Sequence, residues 1–177
     1  MDQRQWRLGL MLLGLCLVSA PPVEAQRSGF IIGLGLGPGA VSYSSVSDRE
    51  SQFGLAIDFH IGGVIGDSFE LYYVHKGTVI STDVAEVNIG SGVAGLGFSY
   101  PLNPKLSING GIGLALWTVI GPNGTTNNSD GLGLLGGVRY RLSESGRWGL
   151  GFDMTYGEPF PDFTTLGAQV TINVLSH

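Results

Sequence analysis

The residues that could do chemistry are few and scattered along this chain. His75, Ser81 and Glu86 supply a base, a hydroxyl and an acid, the residue types of a Ser/His/acid hydrolase site. Such a site needs all three within hydrogen-bond reach, and their spacing alone does not bring them together. Asp58 and His60, two residues apart, share one face of an extended strand. That spacing suits an acid–base pair, but a place in a buried polar network is the expected reading. Gly131-Leu132-Gly133-Leu134-Leu135-Gly136 matches the dinucleotide fingerprint in letters. The fingerprint works only as strand, tight turn and helix, and here it lies inside an alternating run. The glycines from Gly33 to Gly39 are followed by no Lys-Ser/Thr that could hold a nucleotide. Three dispersed histidines and one cysteine, Cys16, do not form a metal-ligand cluster. The expectation is a protein without catalytic, cofactor-binding or metal-binding residues, and not an enzyme.

The elements that must carry these residues follow from one period. From Gln26 onward apolar and small or polar residues alternate with period two, the mark of strands with two unlike faces. Leu106, Ile108, Ile112, Leu114 and Leu116 stand against Ser107, Asn109, Gly111, Gly113 and Ala115. Trp148, Leu150, Phe152, Met154 and Tyr156 stand against Gly149, Gly151, Asp153 and Thr155. The pattern predicts strands at 29–43, 52–65, 68–80, 86–101, 105–120, 131–142, 147–157 and 163–175. Several exceed the ~9–11 residues that a tilted strand needs to cross a bilayer. Tight connections are expected after strands 2, 4 and 6. Longer polar loops are expected at Ser44–Ser51, Ser81–Ala85, Gly121–Asp130 and Gly157–Asp162. The sequons at Asn123 and Asn127 mark the third of these as exposed. Pro38 predicts a bend or bulge in the first strand, and a slip of phase around Gly90-Ser91-Gly92 predicts a bulge in the fourth.

Residues 1–25 read as a separate element. Arg4 and Arg7, an apolar run from Leu8 to Ser19, and Val23-Glu24-Ala25 give the order of a secretory signal peptide, leaving 26–177 as one domain. Glycine accounts for 30 of 177 residues, far above the usual ~7%, and charged residues for only 13%. A net charge of −5 leaves no basic surface for nucleic acid.

The face on which the apolar residues lie determines the class of barrel. The polar parity is rich in glycine, alanine and serine, and its charges are few: Asp58, Glu70, Lys76, Arg139, Arg141 and Asp153. That is too little charge for the exterior of a soluble barrel, but it suits the narrow interior of an eight-stranded membrane barrel. With His60, these residues are expected to form an interior network in which cations and carboxylates pair. Phe30, Phe69, Tyr100 and Trp148 fall near one rim. Tyr43, Phe53, Trp117, Tyr156, Phe160 and Phe163 fall near the other, as interfacial girdles would. Trp117 sits on the inward parity and could fill the mouth instead.

Taken together, the leader, the eight alternating strands, the short turns and the rim aromatics resemble the small outer-membrane barrels of the OmpA transmembrane-domain and OmpX type. The likeness covers the mature chain and is one of architecture. One departure is the C-terminus, Val174-Leu175-Ser176-His177, which has aliphatics where such barrels end on an aromatic. The resemblance implies an all-β, eight-stranded antiparallel up-and-down transmembrane barrel in the bacterial outer membrane. It would be monomeric, with membrane lipid as its partner, and would have a structural or surface-interaction role. The alternatives are a narrow channel for ions or small solutes, a lipid-modifying enzyme, and a soluble lipocalin-like binding barrel.

Overall fold

A computed structural model describes residues 29–45, 49–66, 69–82, 87–122, 124–143 and 148–176. The expected leader, Cys16 and Glu86 lie outside these residues. Eight strands follow in chain order: β1 Phe30–Ser44, β2 Arg49–Ile65, β3 Phe69–Ser81, β4 Asn88–Pro101, β5 Leu106–Gly121, β6 Gly124–Arg141, β7 Trp148–Phe160 and β8 Phe163–Ser176. Each strand pairs antiparallel with the next, and β1 closes on β8, so the sheet is a closed barrel. This is the expected fold class. An even strand count brings both ends of the barrel chain, Phe30 and Ser176, to one rim; the opposite rim is called the far end below.

The two parities separate as the alternation requires. In β1, Ile31, Gly33, Gly35 and Gly39 are buried while Phe30, Ile32, Leu34 and Leu36 face out. Leu34, Leu96, Ile112, Phe152 and Ile172, on five different strands, are 49–59% exposed. Exposed apolar patches on soluble proteins are far smaller than such a band, and it is the surface that hydrocarbon wets. Among the described residues no helix is long and apolar enough to cross a membrane, so the strands do the spanning.

Inward glycines make room for large inward neighbours. A Cβ on Gly33 would lie 2.2 Å from the His60 ring, and one on Gly97 would lie 2.5 Å from the Tyr72 ring. Eight strands enclose a narrow lumen, and a large inward side chain on one strand requires a bare backbone on its neighbour.

Several expected details are corrected. The connections after β5 and β7 are not long loops. β6 begins at Gly124, so only residues 122–123 separate it from β5, and Pro161-Asp162 alone joins β7 to β8. Asp162 and Gly124 take up the tight reversals with positive φ. β4 has continuous register on both sides, without the expected bulge. Its phase slip arises because Ile89 turns inward, pairing with Ile80 and Val119 near the far end. Register shifts occur instead between Ala115 and Trp117 against β6, and between Gly157 and Phe160 against β8. Pro38 keeps the register of β1 with β2, while pairing with β8 lapses at Gly37 and Pro38, as the missing N–H requires. β6 pairs with β7 only from Gly133 to Arg141. Its segment Gly124–Leu132 has β5 on one side and, among the described residues, no strand on the other.

Interior crowding yields a paired prediction. Gly97→Val should destabilise the barrel by about 1–3 kcal/mol through overpacking against Tyr72. Gly136→Val, at a position where a Cβ meets nothing within 4 Å, should shift stability by no more than about 0.5 kcal/mol. Unfolding in urea, followed by heat-modifiable gel mobility, measures both.

Candidate functional site

The chemistry-bearing side chains converge on the barrel interior. Asp58 on β2 and Lys76 on β3 are cross-strand partners, both even-numbered and both turned inward. Lys76 Nζ lies 2.9 Å from Asp58 Oδ2 and 2.6 Å from Asp153 Oδ2, and all three residues are at most 1% exposed. In the strand order β3 and β7 stand four apart, on opposite walls of the barrel. The Lys76–Asp153 contact therefore crosses the lumen. His60 Nδ1 lies 3.3 Å from Asp58 Oδ1, and its ring packs 5.1 Å from that of Tyr72. Tyr72 donates its hydroxyl proton to the Phe98 carbonyl at 2.9 Å.

Nearer the termini rim, Arg139 Nη1 on β6 lies 3.5 Å from Glu70 Oε2 on β3, a second tie between separated strands. Arg141, expected in the same network, is half-buried and forms no ion pair among the described residues. Buried charges are tolerable because each faces an opposite charge. Some polar atoms are buried without a protein partner, among them His60 Nε2, both amide atoms of Asn109 and Gln169 Nε2. Groups of this kind are ordinarily satisfied by internal water.

The far end is closed differently. Tyr43 on β1 and Trp117 on β5, again from opposite walls, meet edge to face at 5.3 Å. Phe163 packs on both, 6.1 Å and 4.8 Å away, and Phe160 stacks on Phe163 at 4.4 Å. Four of the expected interfacial aromatics thus pack together across the mouth and do not line a lipid interface. They do so because Tyr43, Trp117 and Phe163 fall on the inward parity, and the register shift before Phe160 brings it to the same face. Phe30, Phe53, Tyr100, Trp148 and Tyr156 do face outward near the rims, and Phe69 stacks on Phe98 at 6.2 Å.

The hydrolase constellation does not assemble. His75 and Ser81 are six residues apart on the same strand and both face outward, and Ser81 donates to Asn88 Oδ1 at 2.9 Å. At ~3.3 Å per residue the two lie roughly 20 Å apart. The GxGxxG run lies within β6, and among the described residues no helix follows it to receive a phosphate. Among the described residues no His/Cys/Asp/Glu group of three or more could hold a metal. Sequence reasoning did not single out Tyr72, Asn109, Gln169, Thr171 and Asn173 as site residues, although all are buried in the lumen. Parity was the available signal, since Tyr72 shares the face of Glu70 and Lys76 on β3 and the other four lie on the polar parity of β5 and β8.

A closed barrel with an apolar exterior and a polar, charge-paired interior is an integral outer-membrane barrel. The family model for the outer membrane protein beta-barrel domain matches residues 9–174, and the chain belongs to that family. No curated protein matches it by sequence. Among solved structures it is similar to Ail, the attachment invasion locus protein of Yersinia pestis, with TM-score 0.62 and 9% identity over 84% of this chain and 99% of Ail. It is also similar to Neisserial surface protein A, with TM-score 0.61 and 14% identity over 84% and 99% of the two chains. OprG from Pseudomonas aeruginosa gives TM-score 0.54 and 11% identity over 85% and 97%. At such identities the likeness is one of fold.

Removing Lys76 would leave two buried carboxylates without their shared cation. Lys76→Met should cost roughly 3–5 kcal/mol. Adding Asp58→Asn and Asp153→Asn should recover most of that loss, as measured by urea unfolding in lipid vesicles.

Proposed function

We propose that this protein is a non-enzymatic, monomeric outer-membrane barrel that contributes to the envelope and presents its far end outside the cell, and that it is not a general porin. The observation that carries this reading is the occlusion of the lumen from opposite walls. Lys76 reaches Asp153 at 2.6 Å in the middle, and Tyr43 meets Trp117 at 5.3 Å at the mouth. A solute would have to break buried ion pairs and part an aromatic cluster to pass. The outward orientation of His75 and Ser81 likewise supports a role without catalysis.

A narrow channel is the second reading, and the unpartnered polar atoms of His60, Asn109 and Gln169 in the lumen favour it, since they call for internal water. Water bound in patches between crossed side chains is a different state from a continuous pore. In planar bilayers the purified barrel should give no steady unitary conductance. A reproducible conductance from the unmodified protein would replace the first reading with the second.

Ail has been crystallised with the heparin analogue sucrose octasulfate, a polyanion. The far end of this chain is not suited to a polyanion. Asp48, Glu50, Asp83, Glu86, Asp130, Glu158 and Asp162 fall in or beside its far-end connections, where Arg49 is the sole Lys or Arg. The surface partner of this chain is therefore proposed to be cationic or neutral. Heparin-coated beads should not retain the folded barrel at physiological salt; retention there would contradict this assignment.

A further inference from the structure

Closure of the barrel loosens at the far end, most of all along β6. Above Gly133, β6 leaves β7, and Gly124–Leu132 continues as the outer strand of a two-stranded ribbon with β5. β2 also outruns a neighbour there, since Arg49–Gly54 pairs with β1 and its ladder with β3 begins only at Leu55, but that edge carries Arg49. A register shift opposite Ala115 and Trp117 marks the base of the ribbon, and another interrupts the β7–β8 ladder between Gly157 and Phe160. Between them lies a cleft of about 630 Å³, lined by Gly131, Leu132 and the segment from Glu158 to Thr164.

At Gly131 the β6 backbone lies against the Glu158 carbonyl, which a Cβ there would overlap, so the free edge begins beyond the cleft, where Gly124–Asn128 pairs with β5 and has no strand opposite among the described residues. An edge of this kind is a template for another strand. Its exposed residues Thr125, Thr126 and Asn127 include neither lysine nor proline, the residues that commonly block edge pairing. The cleft next to this edge carries the exposed carboxylates of Glu158 and Asp162. Two copies pairing edge to edge would bring these like charges together, so the charge favours a different occupant.

We infer that the β6 edge at Gly124–Asn128 is a docking site for an extended, basic peptide segment. The segment would add as a strand to β6 and set its cationic side chains against Glu158 and Asp162. The inference rests on the surface-presenting role proposed above and names the class of partner that role would serve.

The test uses the full barrel in lipid nanodiscs and three short probe peptides: alternating threonine and lysine, the same peptide N-methylated at every second residue, and alternating threonine and glutamate. Fluorescence anisotropy reads affinity, and amide hydrogen exchange reads protection of residues 125–128. The lysine peptide should bind and slow exchange along β6, while the N-methylated and glutamate peptides should not. Glu158→Gln with Asp162→Asn should weaken binding roughly five-fold, as two exposed ion pairs would, with heat-modifiable mobility unchanged. Equal binding of the N-methylated peptide would overturn edge pairing. So would absence of binding, or protection of β6 by self-association without peptide. Conductance of the same sample is recorded alongside. A silent barrel that ignores the peptide removes this inference alone, whereas a conducting barrel removes the reading beneath it.

Discussion

Inside a bilayer the backbone has no water to bond with, and every strand N–H and C=O left unpaired there costs several kcal/mol. That constraint closes this sheet. β1 pairs with β8 from Ile32 to Ser44, and the ring of ladders has its one gap near the membrane centre at Gly37 and Pro38, where proline has no N–H to lose. The freedom to leave an edge unpaired returns only where water does. The β6 segment that runs past its neighbour is rich in threonine and asparagine, and its exposed residues 124–127 lie beyond the apolar band.

Closure with eight strands then sets the interior. The circumference is small, so inward side chains from opposite walls touch, and bulk at one position requires glycine at another. Gly33 beneath His60 and Gly97 beneath Tyr72 are the clearest instances. Charges in this space must face their complements, which is why Lys76 sits between Asp58 and Asp153 and Arg139 faces Glu70. The occluded lumen is thus a consequence of strand number as much as of residue choice, and it shifts the search for function from the bore to the far end.

The barrel itself was legible because both its faces write period two into the sequence, apolar for lipid and small or polar for the lumen. Asp58, Lys76, Arg139 and Asp153 could be placed inward by parity alone. Their partners across the lumen could not all be assigned in the same way, since the meeting of β3 with β7, or of Tyr43 with Trp117, depends on which strands oppose each other in a closed ring. The start of β6 was illegible for a related reason. A ribbon above the membrane is polar on both faces, so Thr125 to Asp130 lose the alternation and read as loop. The missed inward turn of Ile89 is the converse case, an apolar residue at the mouth that the pattern assigns to lipid.

The account stands on the apolar face being the lipid-facing one. The most direct measurement is to place nitroxide labels, one at a time, at Ile112, Leu134, Phe152 and Ile172 in the barrel reconstituted in lipid vesicles, and to compare collisions with oxygen and with a water-soluble nickel complex. The structure predicts high oxygen and low nickel accessibility at all four positions. High nickel accessibility at these positions would place them in water and contradict the membrane barrel.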